Sequence, residues 1–177
     1  MEYFPFPDVG KYELFVLVDI SNVTSLKNSF SSMPELISIS FTEEFKTENI
    51  TNMDGMFAGS PILKEVNMSN LNAGNIKSMS EMFSNCEKLT SVNLSNLKAT
   101  HLHSTRHMFF ECNNLYSIDF SNFTTKNLKD VSYLFYFCES LRSIELSGID
   151  TTKVTNMNRM FKGCKYKLQL MFPILIQ

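Results

Sequence analysis

The stretch that decides the fold is LFYFCESLRSIELSGIDTTKVTNMNRMFKGC, residues 134–164. It opens on Leu134-Phe135 and reaches Met160-Phe161 after a step of 26 residues. The same pair recurs at this step towards the N-terminus, at Met56-Phe57, Met82-Phe83 and Met108-Phe109. A fixed step of this length is typical of proteins built from stacked copies of one small structural unit.

Other positions keep the same step, so each residue type falls into a column. The apolar columns include Leu63, Leu89, Leu115 and Leu141; Val66, Val92, Ile118 and Ile144; and Met79, Thr105, Val131 and Met157. A further column begins with Ser60 and continues as Cys86, Cys112, Cys138 and Cys164. Stacking predicts that each column packs on itself and forms one continuous core.

Two hydrophobic periods occur within each copy. Val92 and Leu94 alternate with polar residues, which predicts a short half-buried strand. Ile76, Met79 and Phe83 recur at helical spacing, which predicts a short helix or 3₁₀ segment. The predicted fold class is therefore α/β: a right-handed, leucine-rich-repeat-like solenoid with a parallel sheet of about six strands on one side and short helices on the other.

The chain divides into three parts on this pattern. Residues 1–22 form an N-terminal cap or degenerate first repeat, and residues 23–164 form about five repeats. Residues 165–177 form a truncated repeat or apolar tail, because Leu168 follows one position late and the register is expected to be lost after Cys164.

Composition agrees with one compact domain. Of the 177 residues 44% are apolar and 19% are charged, and the formal net charge is −2. A charge this close to zero gives no basic field for nucleic acid, so no nucleic-acid partner is expected. The chain has 16 Phe and 11 Met residues, and these are the residue types that recur in the predicted core columns beside the strands.

No targeting segment is recognised in the chain. The apolar run Leu14–Val18 is too short for a signal core, and no run reaches the roughly 18 apolar residues that a membrane span needs. We therefore expect no transmembrane segment. A mature piece or a fragment of a larger surface protein remains an alternative.

The repeated unit reads L-x-x-[VI]-x-[LMF]-S-N-[LF] followed by N-[IVL]-x-x-M-x-x-M-F-x-x-C. It resembles the BspA-type leucine-rich repeat, the Mycoplasma-type variant of 25–26 residues, over about residues 23–164. This resemblance implies a surface or secreted protein that takes part in adhesion or host interaction. A cytoplasmic location is the alternative, since the export signal of such proteins is not seen here.

The predicted partner-binding surface is the polar side of the strands, because solenoid faces of this kind are common binding surfaces. Tyr116 and Arg142 are its only residues of the types that dominate binding energies. The candidate residues are Glu65, Asn67, Ser91, Asn93, Tyr116, Ser117, Asp119, Arg142, Ser143 and Glu145. A solvated face with no partner is the competing interpretation.

The sequence supports a catalytic or metal-binding role less than it supports a binding surface. The four cysteines lack the paired spacing of a metal site and are interpreted as a ladder of buried thiols, with one or two disulfides or a metal as alternatives. His101, His103 and His107 are interpreted as solvated, with a zinc or nickel site as the alternative. No catalytic motif is present, so no catalytic residue, metal or cofactor is predicted.

The leading functional hypothesis is a non-enzymatic, adhesin-like module that binds a protein or a glycan partner. We expect it to be monomeric or to associate end to end. The alternatives are a structural spacer and a truncated, non-functional member of an expanded repeat family.

Overall fold

The computed structural model describes residues 20–94 and 97–171. Most of the predicted cap and the last six residues of the predicted apolar tail therefore lie outside the described residues. These residues form eight short strands, none longer than three residues. They are β1 (Ser38–Ser40), β2 (Glu65–Asn67), β3 (Ser91–Asn93), β4 (Lys98–Ala99), β5 (Ser117–Asp119), β6 (Thr124–Thr125), β7 (Ser143–Glu145) and β8 (Gln169–Met171).

The strands pair in parallel, as predicted, and the pairing follows the repeat. Two three-stranded sheets have the orders β1-β2-β3 and β5-β7-β8, and β4 pairs with β6. Val66 lies opposite Val92, and Ile118 lies opposite Ile144, which is the predicted 26-residue step. The described part of the chain is therefore a series of rungs paired in parallel, each rung being one copy of the repeat.

The register continues past Cys164, where the sequence predicts its loss. Ile144 pairs with Leu170, so β8 keeps the 26-residue step from β7. Leu168 is half-buried and packs against the core although it falls one position late. The backbone pairing tolerates this shift because its hydrogen bonds do not depend on which side chain each residue carries.

The predicted short helices are wrong, because no helix occurs in residues 20–94 or 97–171. These segments are runs of overlapping β-turns. The N–H groups of Met108, Phe110 and Cys112 each donate to the carbonyl three residues earlier. The intervening N–H groups, those of His107 and Phe109 among them, donate to carbonyls of the next rung. The fold is therefore a β-structure of stacked rungs rather than an α/β structure.

Alternate turns place a residue in the left-handed conformation. His107 and Glu111 have φ of 56° and 57°, each at the third position of a four-residue turn, as a type II turn requires. Gly55 and Gly59 hold the equivalent places in an earlier rung, where glycine meets this φ without strain. Elsewhere the same positions carry Tyr133 and Phe137, so rung-to-rung bonding overrides the local preference.

The core columns are confirmed in the interior rungs, but the predicted core residue Met157 of the last rung is exposed. The phenylalanine column, from Phe30 to Phe161, forms one continuous stack of rings with centroids 5.3–5.7 Å apart and interplanar angles of 4–12°. Phe57, Phe83, Phe109 and Phe135 are fully buried in this stack. Stacked aromatic rings add to the burial of their large apolar surface, so this column is a principal source of stability.

Polar side chains fix the corners between rungs. The side-chain oxygens of Asn52, Ser104 and Asp130 accept from the N–H two residues later, which closes a small turn at the same place in each rung. A second ladder links the rungs: Asn75 and Asn127 donate to carbonyls of Glu48 and Thr100. Many Asn and Ser side chains therefore form hydrogen bonds with the backbone.

Candidate partner-binding surface on the strand side

The predicted strand-side residues do lie on one side of the stack. Glu65, Ser91, Ser117 and Ser143 align in register across their strands, and Asn67, Asn93, Asp119 and Glu145 form the neighbouring column. Tyr116 and Arg142 precede β5 and β7, and the carbonyl of Tyr116 accepts from the N–H of Arg142. The repeat therefore brings all ten candidates to the same surface.

Three of these candidates also serve the local backbone. Side-chain oxygens of Asn67, Asp119 and Glu145 accept from the N–H groups of Ser69, Ser121 and Ser147, at 2.7–3.1 Å. Each bond closes the turn that follows its strand. The second carboxylate oxygen of Asp119 and of Glu145 makes no hydrogen bond within the described part of the chain, so each keeps one acceptor for a ligand.

A cleft divides the strand surface. β3 and β5 belong to different sheets, although their rungs are neighbours. The cleft between them has a volume of about 570 Å³ and is lined by Thr90, Ser91, Val92, Ser117, Ile118, Asp119, Ser121, Ser143 and Glu145. Val92 is half-buried here, whereas its column neighbours Val66 and Ile118 are buried. Seven of the nine lining residues carry polar side chains, and the two charged ones are carboxylates.

A second cleft of about 360 Å³ lies beside the first, around Arg142. The guanidinium carbon lies 5.4 Å from the ring centroid of Tyr116 and 4.0 Å from that of Tyr166. Both tyrosines are exposed, at 55% and 47%. Lys167 and Gln169 complete the lining together with Ser143. Arg142 therefore lies between two aromatic rings at the edge of the strand surface.

Arg142 has no acidic partner among residues 20–94 and 97–171. The two ion pairs in these ranges join His107 to Glu81 and Lys165 to Glu139. No side-chain hydrogen bond of the guanidinium occurs within the same ranges. Arg142 is exposed, so its N–H donors are open to solvent beside the two rings.

Tyr166 and Lys167 were not among the sequence-predicted residues. They follow Cys164, where the register was expected to fail, so nothing placed them next to Arg142. Because β8 keeps the 26-residue step, the segment before it returns to the flank of β7. The signal that could have found Tyr166 is the continued alternation of Leu168 and Leu170 in the sequence.

The cysteine column forms no disulfide in the structure. All four thiols are free, and those of Cys86, Cys112 and Cys138 are buried. Each Sγ donates to the carbonyl of a phenylalanine in the preceding rung, at 3.0–3.3 Å. Burial raises the pKa of Cys86 to about 12 and raises the pKa of Cys112 well above the ordinary value. These thiols therefore contribute a structural hydrogen bond rather than a nucleophile.

Two of the three histidines serve packing and the corner ladder. Nδ1 of His101 lies 2.6 Å from the Gly74 carbonyl, at the position that Asn75 and Asn127 hold in other rungs. His107 is half-buried, with its ring 4.6 Å from that of Tyr133. Burial, and then the nearby Arg106, hold its pKa below the ordinary value. No group of three His, Cys, Asp or Glu side chains that could hold a metal occurs in the described ranges.

A profile of one protein family matches residues 14–116 and 90–169, which together span most of the chain. The family is described as "Mycoplasma protein of unknown function, DUF285". The chain belongs to this family. No curated protein and no solved structure matches it in the same comparisons. The DUF285 description names no activity. Membership therefore identifies the family of this chain but no ligand, partner or reaction.

Within the described part of this DUF285 chain, no helix is long and apolar enough to cross a membrane.

Proposed function

We propose that this protein is a non-enzymatic binding module, an adhesin-like solenoid of the leucine-rich-repeat kind that engages a protein or glycan partner at a cell surface. The 26-residue parallel pairing and the continuous phenylalanine stack support the solenoid. Two clefts side by side on the strand surface support a binding role. The surface or secreted location rests on the resemblance of the repeat to BspA-type proteins.

The observation that carries the proposal is the position of Arg142 between Tyr116 and Tyr166. Tyrosine and arginine are the residue types that most often dominate binding energies at interfaces. Contact with two rings restricts the Arg142 side chain, so its planar set of N–H donors loses less freedom when it binds a ligand. A carboxylate fits this donor set through two parallel hydrogen bonds. The proposed ligand therefore bears a carboxylate.

The neighbouring cleft gives this surface two different charge environments. Asp119 and Glu145 line the first cleft, whereas Arg142 and Lys167 line the second. A ligand that spans both clefts would place its carboxylate at Arg142 and a hydrogen-bond donor or a cation near Asp119 and Glu145. Complementarity of this kind contributes specificity more than affinity.

An array of glycans and peptides tests the proposal, with each carboxylate-bearing member printed beside its neutral amide. The wild-type protein is expected to prefer carboxylates, and Arg142→Gln to lose that preference. Arg142→Lys should bind more weakly, because an ammonium cannot form the paired hydrogen bonds. Lys64→Gln is the matched control, since it removes a cation from the same flanking column of an earlier rung.

Equal binding of carboxylates and amides by the wild type would contradict the proposed ligand. Equal binding by the wild type and Arg142→Gln would show that Arg142 is not part of the binding surface. Surface location is tested separately by brief protease treatment of intact cells. The proposal predicts that this protein is cleaved while cytoplasmic proteins stay intact.

A structural spacer is the second candidate. Side chains of Asn67, Asp119 and Glu145 already bind their own turns, which favours a face that serves the stack itself. A spacer would bind no member of the array, and the double variant Tyr116→Ala with Arg142→Ala would keep its function.

A further inference from the structure

The two ends of the stack carry complementary hydrogen-bonding groups. Between neighbouring rungs, four N–H groups at alternate positions donate to four carbonyls of the next rung. In one interior rung the donors are Thr105, His107, Phe109 and Glu111. The equivalent N–H groups of the last rung, those of Met157, Arg159, Phe161 and Gly163, have no acceptor in residues 20–94 or 97–171. Among the described residues, the last rung therefore ends in a row of donors that have no acceptor.

The apolar column at this end is open as well. Met157 is 56% exposed, whereas Met79 and Val131 in the same column are buried. Phe161 is only half-buried, with Phe135 stacked on one face of its ring. An open edge of donors beside uncovered apolar side chains is a template for pairing with another chain.

The first rung has the matching groups. The carbonyls of Asn52, Asp54, Met56 and Ala58 accept from the rung that precedes them. The carbonyls at the corresponding places in the first rung, those of Ser25, Lys27, Ser29 and Ser31, accept no hydrogen bond in the described ranges. The first rung is therefore a row of acceptors with the spacing of the donor row.

From this match we infer that copies of this chain stack head to tail, the last rung of one on the first rung of the next. The pattern places Met157 on Leu26 and Phe161 on Phe30, which continues both core columns from one molecule into the other. The contact joins two different surfaces, so it repeats and forms open-ended rods rather than a closed dimer.

The charges at the contact set its dependence on salt. Lys27 lies on the first rung, and Arg159 and Lys162 lie on the last, while neither segment carries an acidic residue from position 25 to 33 or from 155 to 165. Like charges would therefore meet when the rungs stack. Salt screens such repulsion, so association is expected to strengthen as ionic strength rises.

Sedimentation velocity of the full chain from about 10 µM to about 1 mM tests this inference, since a contact of one rung is small and therefore weak. The expected result is a sedimentation coefficient that rises with concentration and with salt. Met157→Lys should keep the fold, because the side chain is exposed, and should sediment as a monomer under all these conditions. Met157→Leu should associate like the wild type, and so should Asn114→Lys, which adds the same charge at an exposed position of an interior rung, in the column that holds Lys88.

A mixing experiment identifies the two surfaces. Met157→Lys retains an intact first rung, so in excess it should bind the last rung of wild-type molecules and shorten their rods. Wild-type protein that is monomeric throughout would overturn the inference. Association that Met157→Lys shares, or wild-type association that excess Met157→Lys leaves unchanged, would also overturn it.

Discussion

The interior rung from Thr105 to Cys112 and the last rung from Met157 to Cys164 have the same backbone hydrogen bonds within their turns. They differ in what lies beyond them. The interior rung donates four N–H groups onward and has a phenylalanine stacked on both faces, whereas the last rung donates none in the described ranges and is covered on one face. One rung therefore specifies its own turns, but its burial and most of its stability come from its neighbours.

The largest expected effect compares an interior ring of the phenylalanine stack with the last ring. Phe109→Ala should lower the free energy of unfolding by about 3–5 kcal/mol, because the ring is fully buried and its removal leaves a cavity. Phe161→Ala should cost about half as much or less, because that ring is half-buried and stacked on one side. Urea denaturation measures both. Equal losses would contradict the idea that burial comes from neighbouring rungs.

The next effect concerns close backbone approach between rungs. Asn70 and Asn122 occupy a column that Gly148 continues, so Gly148→Asn looks like a return to the repeat pattern. A Cβ at Gly148 would lie 2.0 Å from the Phe120 carbonyl oxygen, and that oxygen belongs to the backbone. We expect both Gly148→Ala and Gly148→Asn to destabilise by about 1–3 kcal/mol.

Gly74→Ala is the control for this prediction, because its nearest contact is a side-chain oxygen of Asn72 at 3.1 Å. Thermal unfolding of the three variants separates the two sites. A Gly148→Asn variant as stable as the wild type would show that the rungs are not in this close contact.

A smaller effect, an increase in the free energy of unfolding, is expected from a substitution at Thr105. Its hydroxyl is buried without a hydrogen-bond partner, in the column that elsewhere holds Met79 and Val131. Thr105→Val keeps the shape and removes the unpaired group, so it should stabilise by about 1 kcal/mol. Met157→Val, in the same column of the last rung, should change stability little because that side chain is exposed. Chemical denaturation curves of both variants check the difference.

The last comparison concerns no change in stability but the rate at which the cysteine thiols are labelled. Burial raises the pKa of all four thiols, but Cys164 is half-buried while Cys112 is fully buried. The reacting species is the thiolate, so Cys164 should be labelled by a maleimide first and Cys112 only when the stack opens. Mass spectrometry of partly labelled protein gives the order. Labelling of Cys112 before Cys164 would contradict the difference between the rungs.

Much of this architecture can be predicted from the sequence, because the columns at Phe109, Cys112 and Ile118 repeat with a fixed step. The turns in place of helices could not be predicted in the same way. Met79 and Met82 recur at a spacing that fits a helix as well as overlapping turns, and the choice depends on hydrogen bonds to the next rung. The ten strand-side residues were placed on one surface by the repeat alone.

Two features of the site have no counterpart in the repeat pattern. The cleft between β3 and β5 lies where the paired sheet is interrupted, although Ser91 and Ser117 continue their column without a break in the sequence. Tyr166 reaches Arg142 because backbone pairing continues into β8 after the side-chain pattern has shifted. Each depends on contacts between rungs, which a residue pattern within one rung does not specify.

The central claim is that each rung depends on the next rung for the acceptors of its alternate N–H groups. Amide hydrogen exchange in dilute solution tests this claim most directly. The account predicts protection at Thr105, His107, Phe109 and Glu111, and rapid exchange at Met157, Arg159, Phe161 and Gly163. Amides of Met160, Lys162 and Cys164 should be slower than these last four, because they bond within their own turns. Equal protection along both rungs would contradict the account, since it would show that each segment closes its own hydrogen bonds as a helix does.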